Sequence, residues 1–172
     1  GFAKLEPYGL SFDAWLFHPQ LPDLIELATR FPYTTIIIDH FGGPVGIGPY
    51  AGHRAEILAQ WKRAMAALAA LPNTIMKLGG INMEHAGFHW HERAAPPTSD
   101  ELIAACGDYF LHAIDLFGPG RCMFESNTPV DKVSCAYGTL WNAFKKLSAR
   151  YSPHERTALF SGTARRVYRI GV

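Results

Sequence analysis

Apolar runs without alternation recur along this chain, separated by stretches whose apolar residues fall at helical spacing. The most informative is Ile36–Gly43, IIIDHFGG. Three β-branched residues with no polar alternation predict a strand buried on both faces. The polar pair Asp39-His40 stands where the run ends, and the glycines let the backbone turn away at once. Strands are predicted over Leu10–Phe17, Thr34–Asp39, Thr74–Leu78 and Arg121–Glu125. Helical spacing predicts a helix from Pro22 to Phe31, with Leu24, Ile25, Leu27 and Ala28 on one face, and another from His53 to Leu71 carrying Ile57, Leu58, Trp61, Met65 and Leu68. Thr98 and Glu101 form a capping box for a helix to Phe117, and Ser152, Pro153 and Glu155 do the same for the last helix. Tyr137–Ala149 reads as helix, and Gly1–Tyr8 as the end of one. Strands and helices alternate, which predicts a parallel α/β sheet with right-handed crossovers. With no repeat and no linker, residues 1–172 are expected to form a single domain.

Composition narrows the function classes. Apolar residues make up 48% and charged residues 18%, which is core material enough for a globular domain. A net charge of +1 leaves no electrostatic footprint for nucleic acid or an anionic membrane, so neither is an expected partner. No apolar run approaches the ~20 residues that span a bilayer. The first ten residues, GFAKLEPYGL, show no secretory leader, and the absence of an initiator methionine implies a segment of a longer chain. Cys106, Cys122 and Cys135 are odd in number and widely spaced, which favours free thiols and a cytoplasmic setting.

In parallel α/β sheets, ligands bind past the carboxyl ends of the strands. Four polar residues stand at four successive strand ends: His18, His40, Lys77 and Asn127. Alone, each has an ordinary structural role: loop hydrogen bonding for the histidines, an interior ion pair for Lys77, and a turn before Pro129 for Asn127. Together they predict one site. The loop Asn82–Pro97 is long for a compact domain, and loops of that length are usually functional or disordered. Within it, Trp90, His91 and Arg93, together with Gln20, are candidate substrate contacts, and Phe88–Trp90 is a candidate lid. His85, His89 and His91 crowd this loop, but a metal needs ligands held rigidly, so they read as solvent-facing or substrate-facing. Gly46-Ile47-Gly48-Pro49-Tyr50-Ala51 has the letters of a dinucleotide fingerprint, yet Pro44 and Pro49 interrupt the turn and no acidic residue follows at the ribose-binding distance. It reads as a shaped loop instead.

The stretches SFDAWLFHPQL, IIIDHFGGP, MKLGGI, CMFESNTPVDK and LFSGTARRVYRI resemble the amidohydrolase-related proteins, the amidohydrolase 2 family of TIM-barrel metal-dependent hydrolases. The family includes dicarboxylate lactonases and a decarboxylase. The resemblance implies strands five to eight of a (β/α)8 barrel, the C-terminal part only, because a complete barrel needs ~200 residues or more. Both sheet edges are then open and call for a cover, either a second copy of the chain or a missing N-terminal half.

The resemblance also implies roles. His18 matches a metal ligand at the end of strand five, conditional on ligands outside this segment. His40 matches the strand-six histidine that moves protons or polarises substrate. Asn127 stands where many members carry an aspartate, in an S-D-x-P motif, and an amide supplies neither negative charge nor a proton acceptor. The family's strand-one His-x-His has no counterpart here. A divalent cation, zinc in the family, is thus implied by the resemblance while two of its expected sources of ligands are absent. The expected activity is hydrolysis of a lactone, ester or amide of a small carboxylated compound, with His40, Lys77 and Asn127 as catalytic residues. The alternatives are a metal-dependent decarboxylase and an inactive half-barrel that serves as an assembly module.

Overall fold

The computed structural model describes residues 1–171. Four parallel strands run in sequential order: β1 (Phe12–Ala14), β2 (Ile36–Ile38), β3 (Thr74–Leu78) and β4 (Cys122–Phe124). The register sets Phe12 opposite Ile36, Ile36 opposite Thr74, and Met76 opposite Cys122. Helices α1 (Leu21–Arg30), α2 (Arg54–Ala69), α3 (Ser99–Phe117) and α4 (Tyr137–Leu147) form a layer on one face. This is half of a TIM barrel, with four strands and their flanking helices.

The isoleucine run behaves as an unalternated run should. Ile36 and Ile38 enter the main core with Leu24, Trp61, Met65 and Phe110, while Ile37 points the other way and packs with Ile75 and Met123. All three isoleucines are fully buried. Trp61 ties the helix layer to the end of β2 by donating its indole N–H to the Phe41 carbonyl at 2.6 Å. The capping boxes at Thr98 and Ser152 form as the sequence predicts, with each side chain accepting from the backbone N–H three residues on.

Three elements differ from expectation. The strand predicted over Leu10–Phe17 is regular only at Phe12–Ala14, because β1 is an edge with a ladder on one side alone. Residues Phe2–Lys4 and Glu6–Tyr8 are two 3-10 turns rather than a helix end. The last helix divides into α5 (Pro153–Thr157), a π-helical stretch (Ala158–Gly162) and α6 (Thr163–Tyr168). Through Ala164, Val167 and Tyr168, α6 packs onto Ile37, Ile75 and Met123 and covers part of the face opposite the helix layer. No helix among the described residues is long and apolar enough to cross a membrane.

Candidate functional site

Side chains alternate across a strand with a period of two. Asp13, Ile37, Ile75, Lys77 and Met123 therefore share the face turned away from the helix layer, and Asp39 and Glu125 continue the same alternation just past β2 and β4. The charged members of this set meet. Lys77 Nζ lies 3.0 Å from Asp39, 3.4 Å from Asp13 and 3.4 Å from Glu125. His40 Nδ1 lies 2.6 Å from Glu125 Oε1. The Tyr168 hydroxyl donates to Asp13, so α6 is tied into the same network.

His40 reaches Glu125 by an uncommon backbone path. His40 and Phe41 have φ of 51° and 58°, and Gly42 and Gly43 continue at positive φ. Two consecutive non-glycine residues in the left-handed region carry strain of order 1–2 kcal/mol each. The turn is held by the buried Phe41 side chain and by the Trp61 bond to its carbonyl. Space for the imidazole comes from the glycine pair after β3. A Cβ on Gly80 would stand 2.3 Å from His40 Nδ1, and one on Gly79 would stand 2.1 Å from the Glu125 carbonyl oxygen. Gly80 also has φ +73°. Gly80→Ala is therefore expected to push His40 off Glu125 and to lower the His40 pKa while the fold persists, as read by an NMR titration of the imidazole beside a thermal melt. An unchanged titration would show that the imidazole needs no such clearance.

Electrostatics follow from the crowding. Three carboxyl groups, Asp13, Asp39 and Glu125, share one lysine and one imidazole. Burial alone would lower the pKa of His40, but the hydrogen bond and charge of Glu125, with the charge of Asp39, outweigh it and hold His40 above its ordinary 6.5. For Glu125, burial works upward, and His40 and Lys77 overcome it and hold the carboxyl below its ordinary range. Asp39 is raised by burial despite its lysine partner. Burial pulls Lys77 down, but Glu125 and Asp39 more than reverse this, so Lys77 stays charged. It is an interior cation with three acidic neighbours.

An aromatic wall flanks His40. The Trp15 ring lies 5.9 Å from the His40 ring, and the His85 ring lies 5.9 Å from Trp15 and 5.1 Å from Phe17. Burial, then the charge of His40, lowers the pKa of His85, which favours a neutral ring. The loop bearing His85 is riveted to the loop after β2. The Gly46 N–H donates to the His85 carbonyl at 2.8 Å, and Arg54 donates to the carbonyls of Ala86 and Gly87 and lies over Phe88. The shaped loop at Gly46–Ala51 thus serves as the seat for His85.

The other expected site residues stand outside this charged network. His18 is buried, accepts the Val45 N–H on Nδ1 at 3.1 Å and sits 5.0 Å from the Tyr50 ring, in a groove it shares with Pro22, Ile25 and Ala64 of the helix layer. It touches none of the charged network, because the chain turns into a 3-10 step at His18–Gln20 and carries the ring to the helix side of the sheet. Gln20 accepts the Phe17 N–H at 3.0 Å and closes that turn. Trp90 is buried in the core and stacks on Phe88. The stretch expected to be a lid is therefore already seated. Arg93 pairs with Glu101 at 2.7 Å beside the cap of α3, and His91 faces Glu92 at 3.6 Å. Asn127, at φ 49°, donates its amide to Asp131 at 2.7 Å. Desolvation pushes the buried Asp131 carboxyl up to about 6, against the pull of Asn127 and the charge of His40.

The sequence model of the amidohydrolase family matches residues 1–170. The chain belongs to the amidohydrolase family. It is 37% identical to an uncharacterized protein of Sinorhizobium fredii over 99% of this chain and 50% of that one. It is 33% identical to an L-fucono-1,5-lactonase of Burkholderia multivorans over 99% of this chain and 55% of that one. Among solved structures, an amidohydrolase of Burkholderia multivorans with bound zinc superposes with a TM-score of 0.83 at 30% identity, covering 98% of this chain and 56% of that one. The chain thus spans about half the length of the relatives it matches.

Zinc in that neighbour raises the question whether these residues fit a metal. As a set they do not. His18 is bonded to a backbone amide on the helix side, Asn127 offers a neutral amide whose NH2 is already given to Asp131, and His40 has one nitrogen, Nε2, left to offer. Among the described residues, no three His, Cys, Asp or Glu side chains are grouped to hold an ion. A metal centre in the intact protein would need its principal donors from residues outside this chain.

Sequence alone assigns no role to Glu125, Asp13, Asp39, Tyr168 or Asp131, and it leaves His85 as solvent-facing or substrate-facing. A signal for the first three was present. Counting by twos from Ile37 to Asp39 and from Met123 to Glu125, with Asp13 opposite Ile37, marks the shared face once the strand register is known.

Proposed function

We propose that the intact protein hydrolyses a lactone of a small polyhydroxylated or carboxylated compound, with His40 as the group that moves the proton. The observation that carries this reading is the His40–Glu125 pair, at 2.6 Å, at the carboxyl ends of the strands in a chain of the amidohydrolase family. In the neutral ring, Nδ1–H donates to Glu125 and Nε2 carries the free lone pair. That nitrogen takes a proton from water as the water oxygen bonds to the lactone carbonyl. The imidazolium that results is stabilised by Glu125, and Nε2–H then gives the proton to the ring oxygen as the carbon–oxygen bond breaks. The product is the open hydroxy acid. Asn127 contributes hydrogen bonding and no proton transfer. Lys77 acts from behind by holding Asp39 and Glu125 ionised and in place. The edges of β1 and β4 and the exposed Phe12, Trp15, Val130 and Val133 are the surfaces on which the remainder of a barrel would close.

The test is proton release on a panel of sugar 1,5-lactones and dicarboxylate lactones, using the intact protein that carries this chain. Acceleration over spontaneous hydrolysis is expected, and none across the panel rejects the reading. Glu125→Gln tests the role of the pair. Without the carboxylate charge, His40 loses what holds its pKa up, so the acidic limb of the kcat/KM profile is expected to move to lower pH, with kcat down at least tenfold. A limb that stays in place assigns it to another group.

A further inference from the structure

Asn127 and Asp131 form a closed unit just past β4. The Asn127 amide nitrogen lies 2.7 Å from Asp131 Oδ1, and the Asp131 N–H donates to the Asn127 carbonyl at 3.1 Å. Asp131 is 2% exposed, and residues outside this chain can only bury it further. The amide of Asn127 is the side-chain donor to this carboxylate, and the Asn82 backbone N–H also acts on it. An ionised carboxylate accepts and does not donate. The Asn127 side chain must therefore turn its NH2 toward Asp131, and its carbonyl oxygen is left facing the other way.

We propose that Asp131 is a positioning residue that locks the Asn127 amide, so that an acceptor oxygen and not a donor is turned away from Asp131 at the carboxyl-end rim of the sheet, the rim that His40 also occupies. This rests on the reading of Asn127 as a site residue. It also accounts for the asparagine. An aspartate at 127 would set a second carboxylate within hydrogen-bond distance of the buried Asp131, with like charges facing each other and the side-chain donor gone. Asparagine at 127 and aspartate at 131 are then two halves of one device.

The experiment is a 1H–15N spectrum of the side-chain amides in the intact protein, with Asn127 assigned by the signal lost in Asn127→Asp. The expected wild-type signal is an NH2 pair with one proton far downfield and slow to exchange. Asp131→Asn, which keeps the shape, is expected to collapse that splitting and to lower kcat about tenfold, with KM within twofold and an unchanged melting curve. A wild-type NH2 pair with the shifts of a free amide overturns the proposal without any variant. So does an Asp131→Asn protein whose Asn127 signal is unaltered. The double variant Asn127→Asp with Asp131→Asn restores one donor facing one carboxylate and is expected to melt above Asn127→Asp alone. A lower melt counts against the pairing. Because the amide signal is read without turnover, a protein that hydrolyses no lactone rejects the reaction proposed above, while the spectrum still decides the role of Asp131.

Discussion

Replacing His40 with alanine in the intact protein is expected to lower kcat for lactone hydrolysis by about 10²- to 10⁴-fold, the usual contribution of a positioned acid–base group. The reason lies in what surrounds the ring. Its Nδ1 is spent on Glu125, its side chain is only 11% exposed, and its left-handed backbone is maintained at a cost in strain. A histidine with a purely structural role seldom needs a strained backbone, a carboxylate partner and a glycine cleared from its path at once. Alanine keeps the left-handed turn, because Trp61 still holds the Phe41 carbonyl and Gly42 and Gly43 still complete it. Folding should therefore survive, and a thermal melt run beside the assay separates lost chemistry from lost structure. Turnover within a few-fold of wild type would remove His40 from the reaction.

The second large effect is on stability. Lys77→Ala is expected to cost about 3 kcal/mol, the lower end of the range for a broken buried pair, because the Lys77 side chain keeps about a fifth of its surface exposed (20%). The loss is not mainly that of an attraction. It is the repulsion left among Asp13, Asp39 and Glu125 once their shared cation has gone. The pH dependence has a definite sign. Glu125 has a folded-state pKa below its ordinary 4.5, so its contribution is present above that value and lost as pH falls through the folded one. In the variant Asp39 and Glu125 are expected to bind protons more readily in the folded state, which relieves the repulsion in acid. The gap between wild type and Lys77→Ala should thus be widest near neutrality and shrink below pH ~5. Urea melts at several pH values measure it. A gap that is small at pH 7, or that grows in acid, would show that the lysine does not hold the three carboxyls together.

The Lys77 network also shows where sequence reading falls short. A lysine at a strand end suggests a hand for a substrate carboxylate, and Arg93 in a polar loop suggests the same. In the folded chain each cation already has acidic partners. Lys77 is saturated by residues 38 or more positions away in sequence, and Arg93 by Glu101 beside the cap of α3. Ion pairs across strands depend on register, which no local pattern states. His18 differs in another way. It stands at the right place in the order of strand ends, yet one 3-10 step after β1 carries its ring to the helix layer. Order along the chain is not direction in space.

What the chain determined by itself is its layered half-barrel. Unalternated isoleucines can be buried only between two apolar faces, alternating strands and helices can close only as a parallel sheet with crossovers, and the strand-end motifs suffice to recognise the family. Tertiary structure alone decided which polar residues meet. Glu125 reaches His40 across 85 residues and Asp13 reaches Lys77 across 64, and these contacts come from register, the twin glycines after β3 and a left-handed turn after β2. Burial patterns are local and can be read residue by residue. A charge network is a sum over neighbours that only the folded sheet brings together.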